Sequence, residues 1–288
     1  VSGTSLFAGT YGGVLLSTNN GTSWTAVNTG LANLSVRSLV TSGTNLFAGT
    51  YGGVFLSTNK GTSWTAVNTG LTNAPAVYAF AVYATTIFAG TSGGVFVSNN
   101  NGTSWNAANN GLTKTPVTAL ALVGSTLFAG TTGGVFVSTT FGASWTAASA
   151  GLTNNYVYAL AASGTNLFAG TYGGGVFLST NYGASWTAVS TGLSSYSVNA
   201  LAFSGTNLFA GTLSGVCVST NNGASWTDVG LASTNVVALY ASSTSLFAGT
   251  ANGVYLSMNN GTSWSAVNTG LNTSVWSFAV SGTNLFAG

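Results

Sequence analysis

Apolar and polar positions alternate along the chain in short bursts. Between Ser35 and Asn68 the run S-V-R-S-L-V is followed by T-N-L-F-A-G-T, then G-V-F-L-S, then S-W-T-A-V-N. Clusters of Gly, Asn, Ser and Thr separate them. β-branched and aromatic residues between such clusters read as strands, and no stretch combines helical spacing with caps. The pattern predicts a strand A around Val36, a strand B over Thr44–Thr50, a strand C over Gly53–Ser57 and a strand D begun by Trp64. The stretch N-T-G-L then leads into a loop before the next strand A.

The same bursts recur along the whole chain. S-T-N-N-G-T-S-W at Ser17–Trp24 returns at Ser57–Trp64, Ser98–Trp105, Ser138–Trp145, Ser179–Trp186, Ser219–Trp226 and Ser257–Trp264, with Trp spacings of 40, 41, 40, 41, 40 and 38 residues. Four short strands in a unit of this length predict a propeller blade. The expected fold is all-β: a seven-bladed β-propeller of four-stranded antiparallel blades forming one domain over residues 1–288. Strand B, however, occurs eight times. Val280–Gly288 reads VSGTNLFAG and Val1–Gly9 reads VSGTSLFAG. The ring is expected to close when the A strand near Val275 (residues 274–280) completes the blade of residues 1–30. Residues 281–288 are then a surplus copy of strand B. Three readings of it stay open: the mark of a longer array, a strand added to a neighbouring molecule, or an overhang on its own domain.

The eight-residue element reads as a turn between C and D. Asn19 and its equivalents suit an Asx-turn that bonds the backbone two residues on, with Thr140 in that place in the fourth copy. The invariant Gly (Gly21 in the first copy) suggests φ > 0. Ser23 adds a hydroxyl for the turn, and Trp24 carries apolar area inward. The element resembles the Asp-box, or BNR repeat, S/T-x-D-x-G-x-T/S-W, with Ser, Gly, Ser and Trp matching in every copy and Asn or Thr in place of Asp. That resemblance implies a β-propeller whose boxes lie on its periphery, away from any active site.

Charge is almost absent. In 288 residues there are Arg37, Lys60, Lys114 and Asp228, no Glu and no His; ordinary domains are about 25% charged. A net charge of +2 is no nucleic-acid footprint, and no apolar run approaches the ~18 residues of a membrane span. With three tryptic sites, the expected location is secreted or cell-surface. The lone Cys217 stands where other repeats have Phe, and is expected to be buried and inert.

This inventory shapes the functional expectation. Asp-box propellers include sialidases and other glycosidases. Most glycosidases need two carboxylates, whereas Asp228 is the only one here and is expected on an outer strand D. Sialidases hold their ligand's carboxylate with three Arg; only Arg37 is present. Without His there is no Ser-His-Asp arrangement, and zinc lacks ligands. The expectation is that the chain is not an enzyme and has no cofactor or metal.

Positions that differ between repeats remain as candidates for ligand binding. The residue after the Val of strand A varies most: Arg37, Tyr78, Thr118, Tyr158, Asn199, Val237, Trp276. A second column follows F-A-G-T: Tyr11, Tyr51, Ser92, Thr132, Tyr172, Leu213, Ala251. Arg37, Tyr78, Tyr158, Asn199, Trp276, Tyr11, Tyr51 and Tyr172 are the candidate site residues, for sugar rings stacked at a channel mouth; the competing reading is packing between blades. The leading expectation is a structural or self-assembling extracellular module whose partners are other copies of itself. A carbohydrate- or protein-binding propeller, lectin- or adhesin-like, is the alternative, and glycans are its expected partners.

Overall fold

A computed structural model of the chain describes residues 5–72 and 76–281. Its twenty-eight strands, β1 to β28, form seven antiparallel four-stranded sheets. The second blade runs in simple order: β4 (Val36–Ser42), β5 (Asn45–Thr50), β6 (Gly53–Ser57) and β7 (Thr65–Ala66). The first joins the two ends of the chain: β28 (Val275–Ser281) pairs with β1 (Ser5–Thr10), followed by β2 (Gly13–Ser17) and β3 (Thr25–Ala26). The pairing runs from Ser5 opposite Ser281 to Thr10 opposite Val275, as the ring-closure expectation requires. The surplus strand-B copy at 281–288 lies outside the described residues apart from Ser281.

The inner strands are β28, β4, β8 (Val77–Tyr83), β12 (Val117–Val123), β16 (Val157–Ser163), β20 (Val198–Ser204) and β24 (Val236–Ala241). Each packs against the next around a central channel. Strand D differs from expectation. It is two residues long in every blade, and the Trp precedes it.

The reason lies in what the Trp does. Trp24 Nε1 donates to Val267 O of the preceding blade at 2.8 Å, and its backbone N–H donates to Thr269 O at 2.8 Å. Trp64 repeats both bonds, to Val27 O and Thr29 O. The N-T-G-L stretch is the other half of this joint. A Cβ on Gly30 would lie 2.2 Å from Trp64 O, at a φ of +83° that L side chains rarely adopt. The Trp is therefore committed to the neighbouring blade and cannot continue a ladder in its own.

The turn before it is built from side chains. Ser17 Oγ accepts the Gly21 N–H at 2.8 Å and donates to Asn19 Oδ1 at 2.9 Å. Asn19 Oδ1 also accepts the Ser23 N–H at 3.0 Å. The Asn thus caps the backbone four residues on, rather than two, because Ser17 takes the nearer amides. Thr140 keeps this bond, accepting Ser144 N–H at 2.9 Å. Thr22 N–H closes onto Asn19 O across Asn20 and Gly21, both at positive φ, the requirement of a type I′ turn.

The core lies between blades. The Phe of each F-A-G faces the next sheet: Phe7 and Val14 pack with Val36, Leu46, Phe55 and Trp64. Seven such clusters encircle the channel. Cys217 is fully buried in one of them, in the Phe position. Its thiol donates to Asp228 Oδ1 at 3.0 Å. Burial, reinforced by that bond, pushes its pKa up to about 11, so the thiolate is disfavoured.

Candidate functional site

The inner strands do not pair regularly with strand B. In the second blade Val36 lies opposite Thr50 and Ser38 opposite Gly49, so Arg37 is an extra residue in the ladder. The same β-bulge holds Tyr78, Thr118, Tyr158, Asn199, Val237 and Trp276. A bulge bends the strand and re-aims the side chain of its extra residue. All seven bulge residues line one cavity of about 540 Å³ at the end of the channel where the inner strands begin. The most variable column of the sequence is therefore the wall of one mouth.

The second column surrounds the first. Tyr11 meets Trp276 edge-on at 5.1 Å between ring centroids, Tyr51 meets Tyr78 at 6.4 Å, and Tyr172 meets Tyr158 at 5.7 Å. The Arg37 guanidinium lies over the Trp276 ring at 4.0 Å and near Tyr51 at 5.7 Å. Burial, with Tyr51 alongside and Arg37 opposing, raises the pKa of Tyr78. In ring order these groups occupy the first three blades, and the Tyr158–Tyr172 pair stands across the mouth on the fifth.

Two residues of the first column, the candidate Asn199 and Thr118, bond the scaffold. Thr118 Oγ1 donates to carbonyls of Gly130 and of Val157 in the next blade. Asn199 Nδ2 donates to Val236 O at 3.1 Å and Asn235 Oδ1 at 2.9 Å. Both residues thus bond the next blade while also lining the cavity.

Two tyrosines escaped the column comparison. Tyr156 and Tyr196 are about half exposed beside Tyr158 and Tyr172. Tyr172 N–H donates to Tyr156 O at 2.9 Å, and Gly175 N–H to Tyr196 O at 2.7 Å. The signal was present in the sequence: the turn T-Y-G-G-G-V of this blade is one glycine longer than T-Y-G-G-V elsewhere.

Among the described residues no group of three or more His, Cys, Asp or Glu comes together, and no helix is long and apolar enough to cross a membrane. Asp228 sits exposed on the outermost strand of the sixth blade.

The chain is similar to the extracellular domain of BT4673 from B. thetaiotaomicron (TM-score 0.69, 20% identity, 84% of this chain and 35% of that one). It thus spans about a third of that relative's length. It is also similar to an ancestral GH74 enzyme (TM-score 0.72, 22% identity, 92% and 45% covered). A third similar structure is YCF48 bound to D1 peptide (TM-score 0.68, 14% identity, 86% and 85% covered). No curated protein sequence matches the chain.

These findings correct the expectation that the chain is not an enzyme. Propellers of this fold include GH74 enzymes. The exclusion rested on an inventory of side chains within 288 residues, and these residues cover only 45% of the GH74 chain. At this identity the likeness shows the fold alone, so it assigns no activity either. The family model of the DUF6242 beta propeller domain matches residues 2–119, 53–155 and 152–286. The three overlapping matches, each spanning several repeats, together cover nearly the whole sequence, and the chain belongs to the DUF6242 beta propeller domain family.

Proposed function

We propose that the chain is a glycan-binding propeller module of a secreted or cell-surface protein, with its ligand seated in the mouth where the inner strands bulge. The observation that carries this reading is the pair of aromatic groups across that mouth: Trp276, Tyr11, Tyr51 and Tyr78 on one side, Tyr158 and Tyr172 on the other. Sugar rings present flat C–H faces that stack on aromatic rings, and their hydroxyls bond to neutral polar groups. The box turns, with their Asp-box-like pattern, stand at the opposite end of the blades and leave the mouth free. Supporting the reading more loosely, one propeller of this fold is named a GH74 xyloglucanase.

The test is a glycan array followed by calorimetry on the best ligand. Trp276→Ala and Tyr158→Ala should each weaken binding about 10-fold, the loss of one stacked ring. Binding that survives both substitutions, or no binding to any glycan, overturns the reading.

A second reading is self-association through the surplus strand-B copy. It rests on the match between VSGTNLFAG and VSGTSLFAG. Sedimentation of residues 1–288 beside 1–280 tests it: oligomers only in the longer chain support strand exchange between molecules, and two monomers rule it out.

A further inference from the structure

The mouth gathers unpaired donors and positive charge with no acidic side chain among its described lining residues. The chain contains eight Trp. Seven of their indole N–H groups donate to a carbonyl of the preceding blade. Trp276 Nε1 is buried and has no partner among the described residues, and the same holds for the neighbouring Ser277 Oγ. Against Trp276 lies Arg37, the only charged side chain lining the cavity among the described residues. The chain's one acidic side chain, Asp228, is bonded to Cys217 on an outer strand and neutralises neither. A second cation stands on the same rim. The stem of Lys114 covers Gly133, where an added Cβ would lie 2.4 Å from Lys114 Cγ, and Gly133 adjoins Thr132 of the cavity lining. Three of the four charged side chains of the molecule are cations, and two of them are at this mouth.

We infer that the ligand of this mouth is an acidic sugar, a uronate-bearing oligosaccharide whose carboxylate is held by Arg37. This inference rests on the glycan reading above and narrows it. A guanidinium lying over an aromatic face uses that face without spending its N–H groups, and its N–H edge matches a carboxylate with two parallel bonds. The aromatic walls lower the local dielectric, which strengthens the pairing relative to water. With Arg37 over the Trp276 ring, Tyr158 across the mouth is left to stack on the sugar, and Lys114 on the rim supplies a second cation for a further uronate.

The experiment is calorimetry of the full chain with a galacturonate oligosaccharide and with the same oligosaccharide after reduction of its carboxyl groups. The expected result is binding about 10-fold tighter for the acidic form, the effect of a charge-assisted pair. Arg37→Gln should abolish that preference and keep the weaker neutral binding. Arg37→Lys, which keeps charge and bulk, should retain part of the preference and guards against a folding defect. Equal affinities for the two oligosaccharides overturn the inference while leaving the glycan reading standing. A preference that persists in Arg37→Gln also overturns it. Failure of both oligosaccharides to bind overturns the inference and, if the glycan array is likewise blank, the reading beneath it.

Discussion

At the scale of single residues, the box turn separates positions that accept many side chains from positions that accept few. The residue before the box Gly has positive φ in every copy: Asn20, Lys60, Asn101, Phe141, Tyr182, Asn222 and Asn260. Asn tolerates this conformation and bulky residues do not. Tyr182→Asn should therefore raise stability by roughly 1 kcal/mol, read as a higher denaturant midpoint with unchanged slope. Ser98 works the other way. Its Oγ accepts the Gly102 N–H at 2.9 Å in a buried position, so Ser98→Ala should cost about 1–3 kcal/mol by leaving that amide unpaired. Cys217 gives a pH dependence. Its folded pKa of about 11 exceeds the ordinary 9.0, so the unfolded chain loses the proton first. The stabilisation is complete below pH 9.0 and is lost as pH rises towards about 11. Buried Tyr240, also raised, acts in the same direction. Alkaline melts of the chain and of Cys217→Ser should diverge within that window.

At the scale of elements, the sequence showed strands A, B and C nearly residue by residue, because alternation and Gly-rich punctuation are local. It missed the brevity of strand D. The bonds that shorten D run from the Trp64 N–H to Thr29 O and from Trp64 Nε1 to Val27 O, across a blade boundary, and no periodicity records them. The bulges were equally silent. Variation at Arg37, Tyr158 and Trp276 pointed to the mouth, but only the register of strand A against B explains why these side chains turn into it. Thr118 and Asn199 varied in the same column for a different reason, since any donor that reaches the next blade's carbonyl suffices there. The inter-blade joint can be measured. Trp105→Phe removes the donor to Val67 O and should cost about 1–3 kcal/mol, much more than a substitution on the exposed two-residue strand beside it.

At the scale of the whole molecule, seven similar interfaces share the load, and the first blade is the one assembled from distant parts of the sequence. A chain ending at residue 274 lacks β28, leaves β1 as an open edge and strips Phe278 and Val280 from their cluster. It should aggregate where residues 1–281 remain monodisperse in light scattering. The pairing that closes the ring also has a direction under force. Ser5 and Ser281 face each other at one end of the β1–β28 ladder, and Thr10 faces Val275 at the other. Tension applied to Ser5 and Ser281 therefore falls on the outermost hydrogen bonds first and peels the ladder open one rung at a time, without ever loading the rungs together in shear. Held between two neighbours that pull on it, this propeller would yield at its seam at low force, while the six blades built from continuous chain stayed folded.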